Sequence, residues 1–252
     1  VMDELMRDHG GFEHNRQSLR VVEVLERKYS GLPGLNLTYE VLEGVVKHDT
    51  DYDVADARDF NPHERGTLEC QLANLADEIA YNNHDVDDGL RSGLLSEAGL
   101  CSVPLFRRHY ERVLKVAGSA PRRVLIHETI RAMINEVVTD LVEASRRNIK
   151  ARRLRSSDDV RALTKPLIAL SPSTLAEHLV LKRYLRRHLY RHGQVIDVTS
   201  RAQEMLKAVF QRFLTDLKTM PREHADRASA WAAEQGDAGR ARAVPDYVAG
   251  MT

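Results

Sequence analysis

The stretch LADEIAYNNHD, residues 75–85, decides what kind of chain this is. It is helical by propensity. Leu68, Leu72, Leu75 and Ile79 step by four, three and four, which lines them along one helix face. Asp77, Tyr81 and Asp85 repeat every four residues and stack along another. A rotation of about 100° per residue sets Asp77 roughly opposite Ile79. An ordinary surface helix shows solvent a mixture of Lys and Glu. This one shows two carboxylates, a phenol and the pair Asn82 and Asn83. One reading is a polar face packed on another helix. In that case a buried Asp77 needs a partner or a metal, because an unpaired buried carboxylate is costly.

The same period recurs in both directions, and strand signals are nearly absent, so the predicted fold class is all-α. Leu19, Val22, Val24 and Leu25 predict a helix over 15–28. Thr38 is placed to cap a helix ending near Lys47, with Glu40 and Glu43 in its first turns. Residues 48–66 form a polar loop before the long helix that carries the opening stretch, and 85–93 hold a further short turn of helix. Helices are expected over 103–116 and 121–150, the latter on Val124, Ile130, Ile134, Val137, Val138, Leu141 and Val142. Residues 146–166 are charged and without strong period, which predicts a mobile connection. Ser171 and Pro172 open the next helix, Pro172 in the favoured first turn. Residues 198–218 are strongly amphipathic and the Ala-rich tail is helical. No internal repeat is visible.

Composition narrows the function classes. Hydrophobic residues at 42% and charged residues at 29% fit a soluble globular protein. Zero formal net charge means that any nucleic-acid binding must come from local patches. Cys70 and Cys101 are too few for a disulfide framework, so a cytoplasmic location is expected. No run approaches the length of a membrane span and no signal-peptide pattern is present. Val1 and the uncapped end VPDYVAGMT read as a chain cut from something longer.

Several motifs bear on chemistry. In GGFEHNRQSLR (10–20), His14, Asn15, Arg16 and Gln17 crowd a helix entry, where free N–H groups favour phosphate; capping by Asn15 beside solvated charge explains the same residues. His48-Asp49 and His84-Asp85 tempt as metal pairs, but adjacent helical residues point about 100° apart, so such a pair rarely chelates one ion. Arg123, His127 and Arg131 share a helix face that is either a phosphate-facing or a merely solvated basic surface. The run 181–192 interleaves Tyr184 and Tyr190 with Lys and Arg, a pattern suited to single-stranded nucleic acid. Equally, its Leu181, Leu185 and Leu189 form a core stripe with the cations outside.

FEHNRQSLR, GLNLTYEVLEGVVKH, LECQLANLADEIAYNNHDVDDGLRSGLL and DYVAGMT together resemble the HD-domain deoxynucleoside triphosphate triphosphohydrolases, in particular the bacterial dGTPase-like branch. The match runs almost from end to end. It implies an HD-domain-like helical bundle with additional C-terminal helices: a partial catalytic domain over 1–150 and a helical region over 151–252 packed on it. It implies hydrolysis of a dNTP, dGTP or several, to deoxynucleoside and inorganic triphosphate, with a divalent metal such as Mg or Mn. In that family a His, a His-Asp doublet and a distant Asp hold the metal. Asp77 matches the last of these; the others are absent from this chain and belong upstream of residue 1, as does a further histidine near the scissile phosphate. Neither His48-Asp49 nor His84-Asp85 takes the doublet's place. By the same resemblance His14 lies beside the phosphates as a catalytic group, with Asn15 in the same turn. Tyr81 and Asp85 meet the deoxyribose, Asp85 at its 3′-hydroxyl. Lys47 and His48 lie toward the triphosphate, and Arg123 and His127 border its pocket. A homo-oligomer is expected. Two rivals stand beside the hydrolase: a non-catalytic nucleotide-binding or allosteric module, and a helical scaffold that binds nucleic acid.

Overall fold

The computed structural model describes residues 1–48 and 60–251. The chain is all-α. Among the described residues no strand forms, and the one extended pairing is an isolated bridge between Arg27 and Gly34. In chain order the helices are α1 (Met2–Leu5), α2 (His14–Arg20), α3 (Tyr39–Val46), α4 (Leu68–Ser92), α5 (Glu97–Leu100), α6 (Pro104–Ala117), α7 (Arg122–Lys150), α8 (Ser157–Arg161), α9 (Pro172–Leu185), α10 (Gly193–Thr215) and α11 (Arg222–Val248). Among the described residues no helix is long and apolar enough to cross a membrane. Of the predicted 48–66 loop, residues 49–59, Asp49 of the His48-Asp49 pair among them, lie outside the described residues. The described residues divide into two compact units, one made of 1–48, Phe60 and 197–251, the other of 61–196. Residues 151–196, grouped by sequence with the C-terminal helices, thus fall in the second unit with α4, α6 and α7.

The second unit has one core. Ile79, Val86 and Leu90 of α4 pack with Phe106 of α6, Met133, Val137 and Leu141 of α7, and Leu181 and Leu185 of α9. The Thr67 side chain caps α4 by accepting from the backbone N–H of Cys70. The helix does not pause near Asp85, as expected from sequence. It runs on to Ser92 because Val86 and Leu90 prolong the buried stripe begun by Ile79. It stops at Gly93, whose φ of 77° turns the chain left-handed. Two apolar assignments are corrected. Leu72 of α4 and Val124, Val138 and Val142 of α7 lie at the surface, 42–48% exposed. The inward face of α7 is carried by Leu125, Ile126, Ile130, Met133, Val137 and Leu141. The core stripe Leu181, Leu185, Leu189 is buried as expected, and Ser171 and Pro172 open α9, with the Ser171 hydroxyl accepting from Thr174 N–H.

The connection expected to be mobile is pinned instead. Ser156 and Asp159 cap α8 reciprocally and Val160 is buried. The Arg65 side chain donates to the carbonyls of Leu163 and Thr164, and the Gln71 side chain accepts from the N–H groups of Leu167 and Ile168. These bonds come from residues far away in sequence, which no local period announces.

In the first unit α2 packs on α3, with Leu19, Val46 and Phe60 as a small core. The expected helix over 15–28 is shorter: α2 ends at Arg20 and continues as one π-helical turn, Val21–Leu25. Thr38 is the N-cap residue of α3 but makes no side-chain capping bond. A second core gathers Met6, Phe210, Val244 and Val248. The helix α11 is broken at Gly236, where φ is 63°, so that Ala228 before the break and Ala243 after it both pack with Met220.

Candidate functional site

The stripe on α4 is present, with its three residues in different surroundings. Asp77 is half-buried, Tyr81 is 62% exposed, and Asp85 is half-buried. Burial raises the pKa of Asp85 from its ordinary value. A hydrogen bond from Tyr190 opposes this, Asp88 adds to it and His84 opposes it. Tyr190 stands at the end of a π-helical turn, Arg186–Tyr190, that continues α9, and its hydroxyl donates to Oδ2 of Asp85. Such turns are common where a helix re-aims a side chain at a functional position. Sequence reading found Tyr190 only as one member of a basic run.

One helix face away, α4 is tied to α9. Glu78 accepts from Lys182 Nζ at 3.0 Å and lies 3.3 Å from Nε2 of the buried His178. The Asn82 amide approaches the same ring nitrogen at 2.8 Å. The His178 bond, opposed by burial and aided by Lys182, holds Glu78 down to about 2. Farther along, Arg108 of α6 joins Glu136 of α7 and Glu177 of α9. These ties fix the frame on which the stripe sits.

The first unit brings His14, Asn15, Lys47 and His48 together. Glu13, not Asn15, is the N-cap of α2: its carboxylate accepts from the N–H groups of Asn15 and Arg16, both at 2.8 Å, and lies 3.0 Å from Nδ1 of His14. The helix entry is therefore already neutralised by a carboxylate from its own chain. The buried Asn15 donates instead to the carbonyl of His48 at 2.8 Å, which joins α2 to the residue just past α3. Lys47 is buried against Glu43, Nζ to Oε1 at 2.8 Å. His14 remains substantially exposed, its side chain 44% open.

The basic faces are solvated. Arg123 and His127 lie exposed on α7, with Arg123 Nε 3.4 Å from the His127 ring, while Arg122 is paired with Glu97 at 2.5 Å. In the 181–192 run the Tyr190 hydroxyl is engaged with Asp85, and the Tyr184 ring lies 4.4 Å from that of His188.

Among the described residues no three His, Cys, Asp or Glu side chains gather so as to hold a metal ion. Asp77 by itself does not make such a site, since stable sites need several ligands.

The Phosphohydrolase-associated domain family matches residues 168–252. Over its whole length the chain is similar to proteins called deoxyguanosinetriphosphate triphosphohydrolase-like. It is 43% identical to the one from Thiobacillus denitrificans, covering 66% of that relative. It is 42% identical to the one from Ralstonia nicotianae and 40% to the one from Geobacter metallireducens, covering 64% of each. The chain thus spans somewhat less than two-thirds of the relatives it matches.

Proposed function

Because the chain belongs to the family of the deoxyguanosinetriphosphate triphosphohydrolase-like proteins, we propose that it supplies the sugar-binding part of a hydrolase that splits a deoxynucleoside triphosphate, dGTP or several dNTPs, into deoxynucleoside and inorganic triphosphate. The observation that carries this reading is the Asp85–Tyr190 hydrogen bond. Tyr190 takes Oδ2 of Asp85 and so holds the carboxylate in one orientation. The other oxygen is left to accept a hydrogen bond from a sugar 3′-hydroxyl. Tyr81, one turn earlier and mostly exposed, offers a flat wall for the deoxyribose. His14, near Glu13 and open to solvent, is the group proposed to act beside the phosphates, with Asn15, Lys47 and His48 shaping its surroundings. Arg123 and His127 are proposed for the triphosphate.

Asp77 is proposed as one carboxylate ligand of a divalent cation such as Mg or Mn. The described residues contain no complete ligand set, so the roles above are assigned to the chain's own side chains alone. Self-association, cytoplasmic location and contact with single-stranded nucleic acid through the exposed Arg187 and Arg191 are proposed on the same resemblance.

Equilibrium binding of dGTP and of its 2′,3′-dideoxy analogue tests the sugar assignment. Losing one partner of a charged hydrogen bond costs about 1.5–3 kcal/mol, roughly tenfold to a hundredfold in affinity. Asp85→Ala is therefore expected to weaken dGTP binding by that factor and to leave the dideoxy analogue nearly unchanged. Equal losses for both nucleotides would refute the assignment. Release of triphosphate from dGTP across a metal panel, with Asp77→Ala as control, tests the activity in a longer protein that includes this chain.

A further inference from the structure

Helix α9 brings Tyr190 to Asp85 by leaving the α-helical path. At about 100° per residue, an unbroken helix would set Tyr190 about 120° around from His178. The π-helical turn Arg186–Tyr190 holds one residue more per turn. It takes back about one residue's rotation, so Tyr190 comes round to the face that holds His178 and Lys182. That face meets α4: Lys182 and His178 reach Glu78, and His178 also reaches Asn82.

A histidine is a costly residue to place there. His178 is 1% exposed, and among the described residues its buried Nδ1 has no hydrogen-bond partner. Leu181 and Leu185 already fasten α9 to the core without such a cost. The imidazole supplies what an apolar side chain would not, namely direction. Its Nε2 has the Asn82 amide at 2.8 Å and the Glu78 carboxylate at 3.3 Å. Glu78 in turn accepts from Lys182 Nζ at 3.0 Å. Polar contacts of this kind hold one register, where apolar packing tolerates a slide.

The clamp and the tyrosine lie well apart along α9. Eight residues at about 1.5 Å each put Tyr190 on an arm about 12 Å beyond Lys182. An O–H···O hydrogen bond spans only about 2.5–3.0 Å between its heavy atoms, so a slide of about 1 Å at the clamp is enough to lose it. Tyr190 is 38% exposed, so close packing does not immobilise its ring. Its hydroxyl meets Asp85 only while α9 keeps its register on α4.

We propose that His178 is a positioning residue of the sugar site: by gripping Asn82 and Glu78 it fixes the register of α9 against α4, and so places the Tyr190 hydroxyl on Asp85. It touches no substrate and acts through Tyr190. The proposal rests on the reading of Asp85 as the group that meets the sugar 3′-hydroxyl, and adds the residue that decides whether this carboxylate is held ready.

The test is carbon-detected NMR titration of the Asp85 carboxyl in the full chain, with binding of dGTP and of its 2′,3′-dideoxy analogue as the second readout. His178→Leu removes the contacts and keeps an apolar side chain in the core; His178→Gln keeps an amide near the place of Nε2. His178→Leu is expected to move the Asp85 titration upward, as Tyr190→Phe does, because the opposing phenol bond is lost while burial remains. His178→Gln should recover at least part of that shift. Added to Tyr190→Phe, His178→Leu should give no further shift, since one bond cannot be lost twice. Asp88 and His84, which also act on Asp85, are the same in every variant. The preference for dGTP over the dideoxy analogue should fall with the bond, by up to about tenfold. Far-UV circular dichroism confirms folding; if His178→Leu does not fold, Asn82→Ala breaks the same contact from α4 and carries the same expectations. An Asp85 titration unmoved by His178→Leu, unrecovered in His178→Gln, or moved further in the double variant than in Tyr190→Phe overturns the proposal. Equal binding of both nucleotides by the unaltered chain refutes the sugar reading, and with it the sugar-site role of His178, whereas the titration decides separately whether His178 sets Tyr190.

Discussion

The side chains of Arg20 and Asp246, 226 residues apart, meet with the Nε of the arginine 2.9 and 2.8 Å from the two carboxylate oxygens. Arg20 closes the motif FEHNRQSLR near one end of the chain and Asp246 opens DYVAGMT at the other. Asp246 is only 5% exposed, and Arg20, Arg242 and the Gln17 amide all reach it. The carboxylate therefore ties α2 to α11 within the first unit.

Removing it strands two guanidiniums in a half-buried place. Breaking a buried ion pair from one side costs on the order of 3–5 kcal/mol. Asp246→Ala is expected to lower the urea-unfolding free energy by about that much. The double variant with Arg20→Ala should lose less than the sum of the two singles, because the pair is counted once. A loss under about 0.5 kcal/mol for Asp246→Ala would class the contact with ordinary surface pairs.

Tyr190 bears on the titration of Asp85. Burial raises that pKa and the phenol hydrogen bond lowers it, so Tyr190→Phe should move it higher still. The sign for stability follows from linkage. A carboxyl whose folded pKa lies above its unfolded value holds its proton more tightly when folded, so it destabilises the fold as pH rises from the unfolded value through the folded one. Tyr190→Phe should deepen that loss. Carbon-detected NMR titration of the Asp85 carboxyl reads the shift; an unchanged or lower value in the variant would show that the hydroxyl does not bond to it in solution.

Glu78 runs the opposite way. With its pKa lowered from 4.5 to about 2, it contributes stability that is complete above pH 4.5 and fades as the pH falls toward 2. The full shift would correspond to at most about 3 kcal/mol, and the 32% exposed side chain reduces that through solvent screening. Glu78→Gln should flatten this part of the acid limb. An acid limb of unchanged slope would place the acid sensitivity elsewhere.

Gly93 ends α4 with φ at 77°, and a Cβ placed there would meet nothing within 4 Å. The cost of Gly93→Ala is then conformational only, about 1–2 kcal/mol. A thermal melt that dropped much more than this predicts would mean that the turn into Leu95 also has to move.

The sequence by itself determined the helices and which face of most of them turns inward. The 3.6-residue period, the Ser171–Pro172 start and the Leu181–Leu185–Leu189 stripe are local, because a helix closes its hydrogen bonds within four residues. It also identified the family, since the α4 block is long and specific. Where it erred, the deciding groups were distant. The 146–166 segment lacks a period of its own, and its anchors are Arg65 and Gln71. Leu72 and Val124 belong to apolar patterns, but among the described residues they lie largely exposed. The chemistry divides in the same way. Asp77, Tyr81 and Asp85 share a face by spacing alone. That Tyr190 holds Asp85, that Glu13 caps the turn of His14, and that Arg20 and Arg242 share one carboxylate were decided by tertiary structure. The reason is physical: hydrogen bonds and ion pairs between separate elements depend on how helices pack, and packing is set by the whole buried surface rather than by any one stretch of chain.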